Sequence, residues 1–333
     1  SAGVGLNIGF SESNFLGRGQ TVGVNVAQGT DNQAAALTFI EPGLLGRDLR
    51  FNIDAFYTET DNQNSDYNTR SAGIRTGLGF PISDNMRLDL RYSLSKDRIT
   101  DVGTDSSAIL QAEQEAGAPL TSKLGYSISY DTRTTGLNPN AGILLRFGQD
   151  FAGLGGDVSY VATNALALAE RRVMNEEVTL RAVVEGGVVN MIDGDSRVID
   201  RFFGNGKVRG FEGNGFGPRD LNADNEDALG GNLYASVRLE AEFPLGLPEE
   251  YGIRGGVFVD AGSVWSLDNV DGGTDGTDGL ELVDDSFRLR SSVGVSVFWN
   301  TPIGPLRFNL SKAIKKEDYD KEQQFDLTIS TSF

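Results

Sequence analysis

Hydrophobic and polar residues alternate with a period of two along most of this chain. Ala2, Val4, Leu6, Ile8 and Phe10 interleave with Gly3, Gly5, Asn7 and Gly9, and Val22, Val24 and Val26 with Gly23 and Asn25. Leu49, Phe51, Ile53, Ala55 and Tyr57 interleave with Arg50, Asn52, Asp54 and Phe56; Leu88, Leu90, Tyr92 and Leu94 follow the same rule. Successive side chains of a strand point to opposite faces, so this alternation predicts strands with one apolar and one polar side. The pattern returns near 124–131, 142–151, 157–169, 177–189, 232–243, 252–265, 288–299, 305–311 and 324–333. About fifteen such segments run along the chain, these among them, each close to the roughly ten residues with which a tilted strand crosses a bilayer.

A soluble sandwich would alternate too, but with fewer strands and with its polar faces outside. Here the apolar face continues through strand after strand while the other face carries Arg, Asp, Asn and Gly. The expected fold is all-β, a transmembrane antiparallel up-and-down barrel with a lipid-facing exterior and a polar lumen. The links are unequal: short turns at Pro81–Asn85, Leu137–Gly142 and Pro302–Gly304, and longer polar loops at about 60–69, 98–121, 190–229 and 266–287. Such asymmetry suits a barrel with short turns on one side of the membrane and long loops on the other. Asp105–Ala116 reads as a short helix capped by Asp105 or Ser106.

Composition narrows the function. The chain of 333 residues is 39% hydrophobic and contains no run of the length a membrane-spanning helix needs. It has no cysteine and no histidine, which excludes disulfides, thiol nucleophiles, the usual zinc sites and histidine-based triads. Its 29 basic against 47 acidic residues give a net charge of −18, so no nucleic-acid partner is expected. No carboxylate pair is set out as a general acid and base, so no catalytic residue, metal or cofactor is expected. No signal peptide is visible, and Ser1 opens strand-like sequence, so further chain is expected upstream.

The most specific local feature is Arg201–Asp220, RFFGNGKVRGFEGNGFGPRD, in the longest loop. The spacing of Gly204, Gly206 and Gly210 misses the dinucleotide fingerprint, and no helix follows to present its N-terminus. Phe202, Phe203, Val208, Phe211 and Phe216 are too apolar for a freely solvated loop; they imply one that packs against something. On the neighbouring strands, Leu239 and Phe243 facing lipid would turn Glu240 to the lumen, and Val257 and Val259 would do the same for Asp260. Both could be ordinary lumen-facing polar residues. Both could also receive bidentate, charge-assisted bonds from an arginine of an inserted loop, with Glu242 a competing partner on the same face. Asp271–Gly279, DGGTDGTDG, has the look of one calcium-binding repeat, but a single copy cannot build stacked coordination, and a solvated acidic loop is expected.

Val208-Arg209-Gly210-Phe211 in a long loop resembles the signature of the BamA superfamily. Gly230-Gly231-Asn232 opening a strand that ends Leu239-Glu240-Ala241-Glu242-Phe243-Pro244, the segment Phe258–Trp265 (FVDAGSVW), and Trp299, Pro302, Gly304, Pro305 and Leu306 are similar to its later strands. So are Lys315, Lys316, Asp320, Lys321, Gln324 and Phe325; Gly79–Ser83 and Asn14–Gly19 add weaker matches. The resemblance covers essentially the whole chain and is most specific after residue 200. It implies that the 190–229 loop folds into the lumen of a single 1–333 barrel domain and that Arg209 contacts the wall carboxylates Glu240 and Asp260.

It further implies an outer-membrane protein that folds and inserts other β-barrels through a weak seam between its first and last strands, with no chemical step. The seam strand would contain Phe325, Leu327, Ile329, Ser330 and Phe333, with Ser330 where the family commonly has a kinking glycine. Family barrels have sixteen strands, and Ser1–Phe10 resembles the second. A barrel fragment is therefore expected, without the first strand and the soluble POTRA domains, and with a gap between 2–10 and 324–333. Implied partners are nascent outer-membrane barrels, outer-membrane lipid and, through upstream domains, accessory assembly lipoproteins; the barrel itself is expected to be monomeric. The alternatives are a TamA-like or two-partner-secretion transporter barrel and, in another class, a passive porin with an open lumen.

Overall fold

The computed structural model describes residues 5–61, 65–133, 140–270 and 283–329. Among the described residues, the backbone is extended over most of each alternating segment. The strands are β1 (Gly5–Phe15), β2 (Gln20–Gly29), β3 (Asn32–Glu41), β4 (Arg50–Asp61), β5 (Asn68–Pro81), β6 (Met86–Thr100), β7 (Leu120–Asp131), β8 (Ala141–Ala152), β9 (Ser159–Val173), β10 (Val178–Asp193), β11 (Leu233–Pro244), β12 (Ile253–Trp265), β13 (Arg290–Thr301), β14 (Gly304–Lys315) and β15 (Phe325–Ile329). They form one 15-stranded sheet in which every strand is hydrogen-bonded to its neighbours in sequence, and each pairing is antiparallel. This is the up-and-down order expected from the sequence. Each strand reverses the last, so β1 and β15 run the same way, and among the described residues no ladder joins them.

Register fixes which side chains share a face. In β11 and β12, Val237, Leu239, Val257 and Val259 are 38–49% exposed on the outer face, while Ser236, Glu240, Phe258 and Asp260 are at most 8% exposed on the inner one. Arg238 lies opposite Asp260 and Leu239 opposite Val259, so the even-numbered residues point inward across both strands. The outer face stays apolar around the sheet, through Leu6, Ile8 and Phe10 of β1, Leu124 and Ile128 of β7, and Val293, Val295 and Val297 of β13. An exposed apolar belt backed by a polar interior is the inverse of a soluble protein's surface and matches contact with lipid tails.

The longest links all lie at one edge of the sheet. Residues 16–19, 42–49, 82–85, 132–140, 174–177, 245–252 and 302–303 connect strands at one edge; the links at the other include 101–119, 194–232 and 266–289. The long links fold over one another. Ile109, Leu110, Val198, Leu229 and Val283 form an apolar cluster with Tyr67 and Ile99, capping one end of the sheet. Within that cap, α1 (Ala108–Glu115) begins at Ser107 rather than at Asp105 or Ser106. The reason is tertiary: Ser107 Oγ accepts from Ile109 N and donates to Asp220, while Ser107 N donates to Asp227. Two buried carboxylates from the long loop therefore choose which serine caps the helix. Another sequence expectation shifts as well: β1 runs on to Phe15, past a register irregularity between Glu12 and Phe15, instead of ending at Phe10. Asp271–Gly279, Ser330 and Phe333 lie outside the described residues.

Candidate functional site

The 194–232 link does not stay at the rim. A short bridge pairs Phe202 with Gly231, and from there the chain descends along the inner face of the sheet. Apolar contacts hold it. Val208 and Phe216 are buried against Tyr234 of β11 and Val264 of β12, and the ring centroids of Phe202 and Tyr234 lie 4.7 Å apart. Phe211 packs on Phe216 at 5.0 Å between ring centroids. Gly210 turns the chain at φ +99°, a left-handed conformation that strains L side chains; a Cβ there would lie 3.3 Å from Ser311 Oγ on β14. Glycine lets the backbone turn tightly against the wall.

This descent delivers Arg209 to Asp260 and Glu240. Its Nε and Nη2 donate to the two carboxylate oxygens of Asp260 at 2.7 and 2.8 Å, and its own backbone N–H donates to Asp260 Oδ2 at 2.9 Å. Nη1 donates to Glu240 Oε1 at 2.9 Å. The guanidinium also lies 3.7 Å from the ring centroid of Phe258, which sits between the two acids in the inward phase of the wall. The planar fork thus meets one carboxylate edge-on, a second through its remaining nitrogen and an aromatic face with its own. Asp260 is wholly buried. A buried carboxylate needs such compensation, because desolvation of the charge is costly.

Two further arginines complete the cluster, and sequence reasoning did not single them out. Arg181 of β10 is the register partner of Glu240 and donates to its Oε2 at 2.7 Å while also pairing with Glu170 of β9 at 2.7 Å. Arg307 of β14 reaches Glu240 from the far side, across Ser296 and Asn309. Glu240 therefore joins the loop to strands on both sides of it. Each arginine sits in the inward phase of its strand, which the alternation does give; that they converge on one carboxylate depends on register and curvature, which it does not. Glu242, the competing partner, binds Arg254 at 3.2 Å and lies 3.9 Å from Arg181. Lys207, two residues before Arg209, pairs with Glu185 of β10 at 2.6 Å.

The loop also reaches the opposite wall. Asn214 donates to Ser65 Oγ in the link between β4 and β5 at 2.9 Å. A cavity of about 760 Å³ beside it is lined by Asn7, Gln28, Asp31, Thr60, Phe203 and Asn205, among others, so loop and early strands enclose one space. Phe325 and Leu327 of β15 are more than half exposed on the outer face, Ile329 lies opposite Leu306, and Ser311 N donates to Gln324 O just before the strand. Outside the strands, burial pushes the Tyr67 hydroxyl up to about 12 and raises the Asp227 carboxyl, which the charges of Asp66 and Asp220 raise further and Arg219 lowers.

An up-and-down sheet with an apolar belt, crossed internally by an arginine-clamped loop, defines a membrane barrel whose interior is occupied rather than open. The chain belongs to the Omp85 superfamily, whose domain model matches residues 14–333. It is 31% identical over 329 residues to the outer membrane protein assembly factor BamA of Neorickettsia risticii, covering 98% of this chain and 43% of that protein. The Neisseria meningitidis BamA is 23% identical, over 99% of this chain and 45% of its own length, and the sorting and assembly machinery component 50 homolog of Bos taurus is 26% identical, over 80% and 57%. The chain spans about half the length of the curated relatives it matches. Its fold is similar to that of BamA from Haemophilus ducreyi lacking POTRA domains 1–3, with a TM-score of 0.81 at 23% identity over 98% of this chain and 68% of that one. CdiB from Acinetobacter baumannii gives a TM-score of 0.56 at 16% identity, over 97% and 55%.

Proposed function

We propose that this chain is the barrel domain of a BamA-type factor that folds and inserts β-barrel proteins into the outer membrane, without a chemical step. The observation that carries the proposal is the loop clamped inside the sheet by Arg209, Asp260 and Glu240. A passive porin works by an open lumen, and a clamped plug opposes that use. Membership of the superfamily and likeness to assembly factors along nearly the whole chain support the reading.

The working region of the proposal is the last hairpin. β15 is the last strand of the sheet, paired with β14 on one side and, among the described residues, with no strand on the other. In lipid, an unpaired backbone N–H or C=O has no water to turn to, so such a strand edge beside an apolar exterior favours pairing with an incoming strand. Nascent outer-membrane barrels are the partners this implies. Accessory lipoproteins would bind through other domains of the full-length protein, and the barrel would act as a monomer.

The test is reconstitution of the full-length protein in phospholipid vesicles with a urea-denatured eight-stranded barrel as substrate. Protease-resistant, heat-modifiable substrate should accumulate at least several-fold faster than in empty vesicles. Equal rates together with large steady single-channel currents would replace the proposal with the porin reading.

A further inference from the structure

The segment just before β15 is held by an ion pair the assembly reading does not use. Arg290, the first residue of β13, is 1% exposed, and Asp320 is 6% exposed with its carboxylate fully buried. Nε and Nη2 of Arg290 donate to Oδ2 and Oδ1 of Asp320 at 2.9 and 3.1 Å, a two-pronged contact between residues 30 apart in sequence. Asp320 Oδ2 also accepts from Glu317 N at 2.9 Å, and Asp320 N donates back to Glu317 O, closing a turn. The remaining Arg290 nitrogen donates to Arg288 O, and Tyr319 and Phe216 flank the guanidinium. Buried fork-to-carboxylate pairs with every nitrogen engaged fix geometry more tightly than exposed pairs do.

What the pair positions is the next three residues. Lys321 N donates to Gly215 O at 2.8 Å, Glu212 N donates to Lys321 O at 3.0 Å, and Gln323 N donates to Gly210 O at 2.9 Å. Phe211 and Glu322 form an antiparallel bridge between those bonds. The tip of the lumenal loop is therefore a short partner strand for residues 321–323, and β15 starts two residues later at Phe325. The residue before this tip is Arg209, clamped to Asp260 and Glu240. Arg307, which also binds Glu240, lies opposite Thr328 on β15.

We infer that Arg290 and Asp320 are positioning residues that hold 321–323 on the tip of the lumenal loop, so that docking of the loop sets the paired state of β15. The inference rests on the assembly reading for its consequence but not for its geometry. Release of the loop frees the start of the last strand; a docked loop keeps it in register on β14. The lumenal plug and the strand edge then act as one device.

The experiment uses the full-length protein in phospholipid vesicles and reads amide hydrogen exchange before any insertion assay. Asp320→Asn keeps shape and loses charge; Arg290→Lys keeps charge and loses the fork; Asp320→Glu is the conservative control. Exchange at 321–329 and 210–215 should rise roughly ten-fold or more in the first two, less in the control, with β4 unchanged. A second variant guards against global unfolding. Phe211 and Glu322 form the close, non-hydrogen-bonded type of antiparallel pair, whose side chains suit a disulfide. Oxidised Phe211→Cys/Glu322→Cys added to Asp320→Asn should restore protection at 325–329, and its reduced form should not. Unchanged exchange in Asp320→Asn, or loosening at 210–215 that leaves 325–329 as protected as in the parent, would overturn the inference. Insertion is then compared between the oxidised and reduced forms. Slower insertion when oxidised supports the coupling in function; equal insertion with the exchange result intact overturns only its role in assembly.

Discussion

At the scale of single residues, the cluster around Glu240 shows why one carboxylate outweighs any one arginine bound to it. Arg181, Arg209 and Arg307 face Glu170, Glu240 and Asp260, three charges of each sign. Removing Arg209 strands the fully buried Asp260. Breaking a fully buried pair costs about 3–5 kcal/mol, and contact with lumenal water lowers that figure. Arg209→Ala should therefore lower the urea midpoint of heat-modifiable barrel by more than Arg209→Lys, which keeps the charge and loses the fork. Glu240→Ala should lower it further still, because it leaves three guanidiniums with two acids. A midpoint for Glu240→Ala above that of Arg209→Ala would show that Asp260 alone carries the clamp.

Alternation gave the inward phase of both wall acids, and apolar content marked the 201–220 loop as one that packs, but the pairing of Arg209 with Glu240 and Asp260 was legible only through the family resemblance. Arg181 and Arg307 were not legible, since an inward-facing arginine on a strand looks like any other until register is known.

Asp227 offers a residue-scale test with a sign. Burial holds its carboxyl above the ordinary aspartate value, so the folded cap binds a proton more readily than the unfolded chain does. Its contribution to stability is fully present below the unfolded value and is lost as pH rises through the folded one. Asp227→Asn keeps an oxygen to accept from Ser107 N and removes the charge. It should leave the loop cap at least as resistant to proteolysis at pH 7 as the parent, and should flatten the part of the pH dependence between those two values. A variant cleaved faster at pH 7 would mean that the charge is needed there.

At the scale of elements, alternation located most strands and their phase because one face meets an apolar surrounding and the other does not. Where composition is uniformly small, the signal fades: Ala34, Ala35 and Ala36 lie consecutively in β3, which no run of alternating large residues marked. The phase itself is testable. Single cysteines at Val237 and Val259 should react with a lipid-soluble thiol reagent in vesicles, and cysteines at Arg238 and Asp260 should not; the reverse pattern would turn the sheet inside out. The helix shows the limit of local reasoning. Asp105, Ser106 and Ser107 are all acceptable caps, and contacts with Asp220 and Asp227, more than a hundred residues away, decide among them. Ser107→Ala should destabilise the cap by about 1–2 kcal/mol, the cost of a lost helix cap. Earlier protease cleavage within 101–119 would reveal it, and cleavage at the parental rate would show that the aspartates hold the segment without the hydroxyl.

For the whole molecule, the lumenal loop bears on how the chain can reach this state at all. Its contacts with Asp260 span 51 residues, whereas the bond from Asn214 to Ser65 spans 149. Closing a longer loop costs more entropy, so the late strands and the plug have the kinetic advantage over contacts with the early ones. A plug bound to several strands is also awkward to thread past a sheet already curled around it. The curling sheet must wait, still open, until residues near 260 exist to receive Arg209. Pulse-labelled hydrogen exchange during refolding should show 208–215 protected together with β11 and β12, ahead of the bridge to Ser65. The loop is in this sense a former around which the wall is wound.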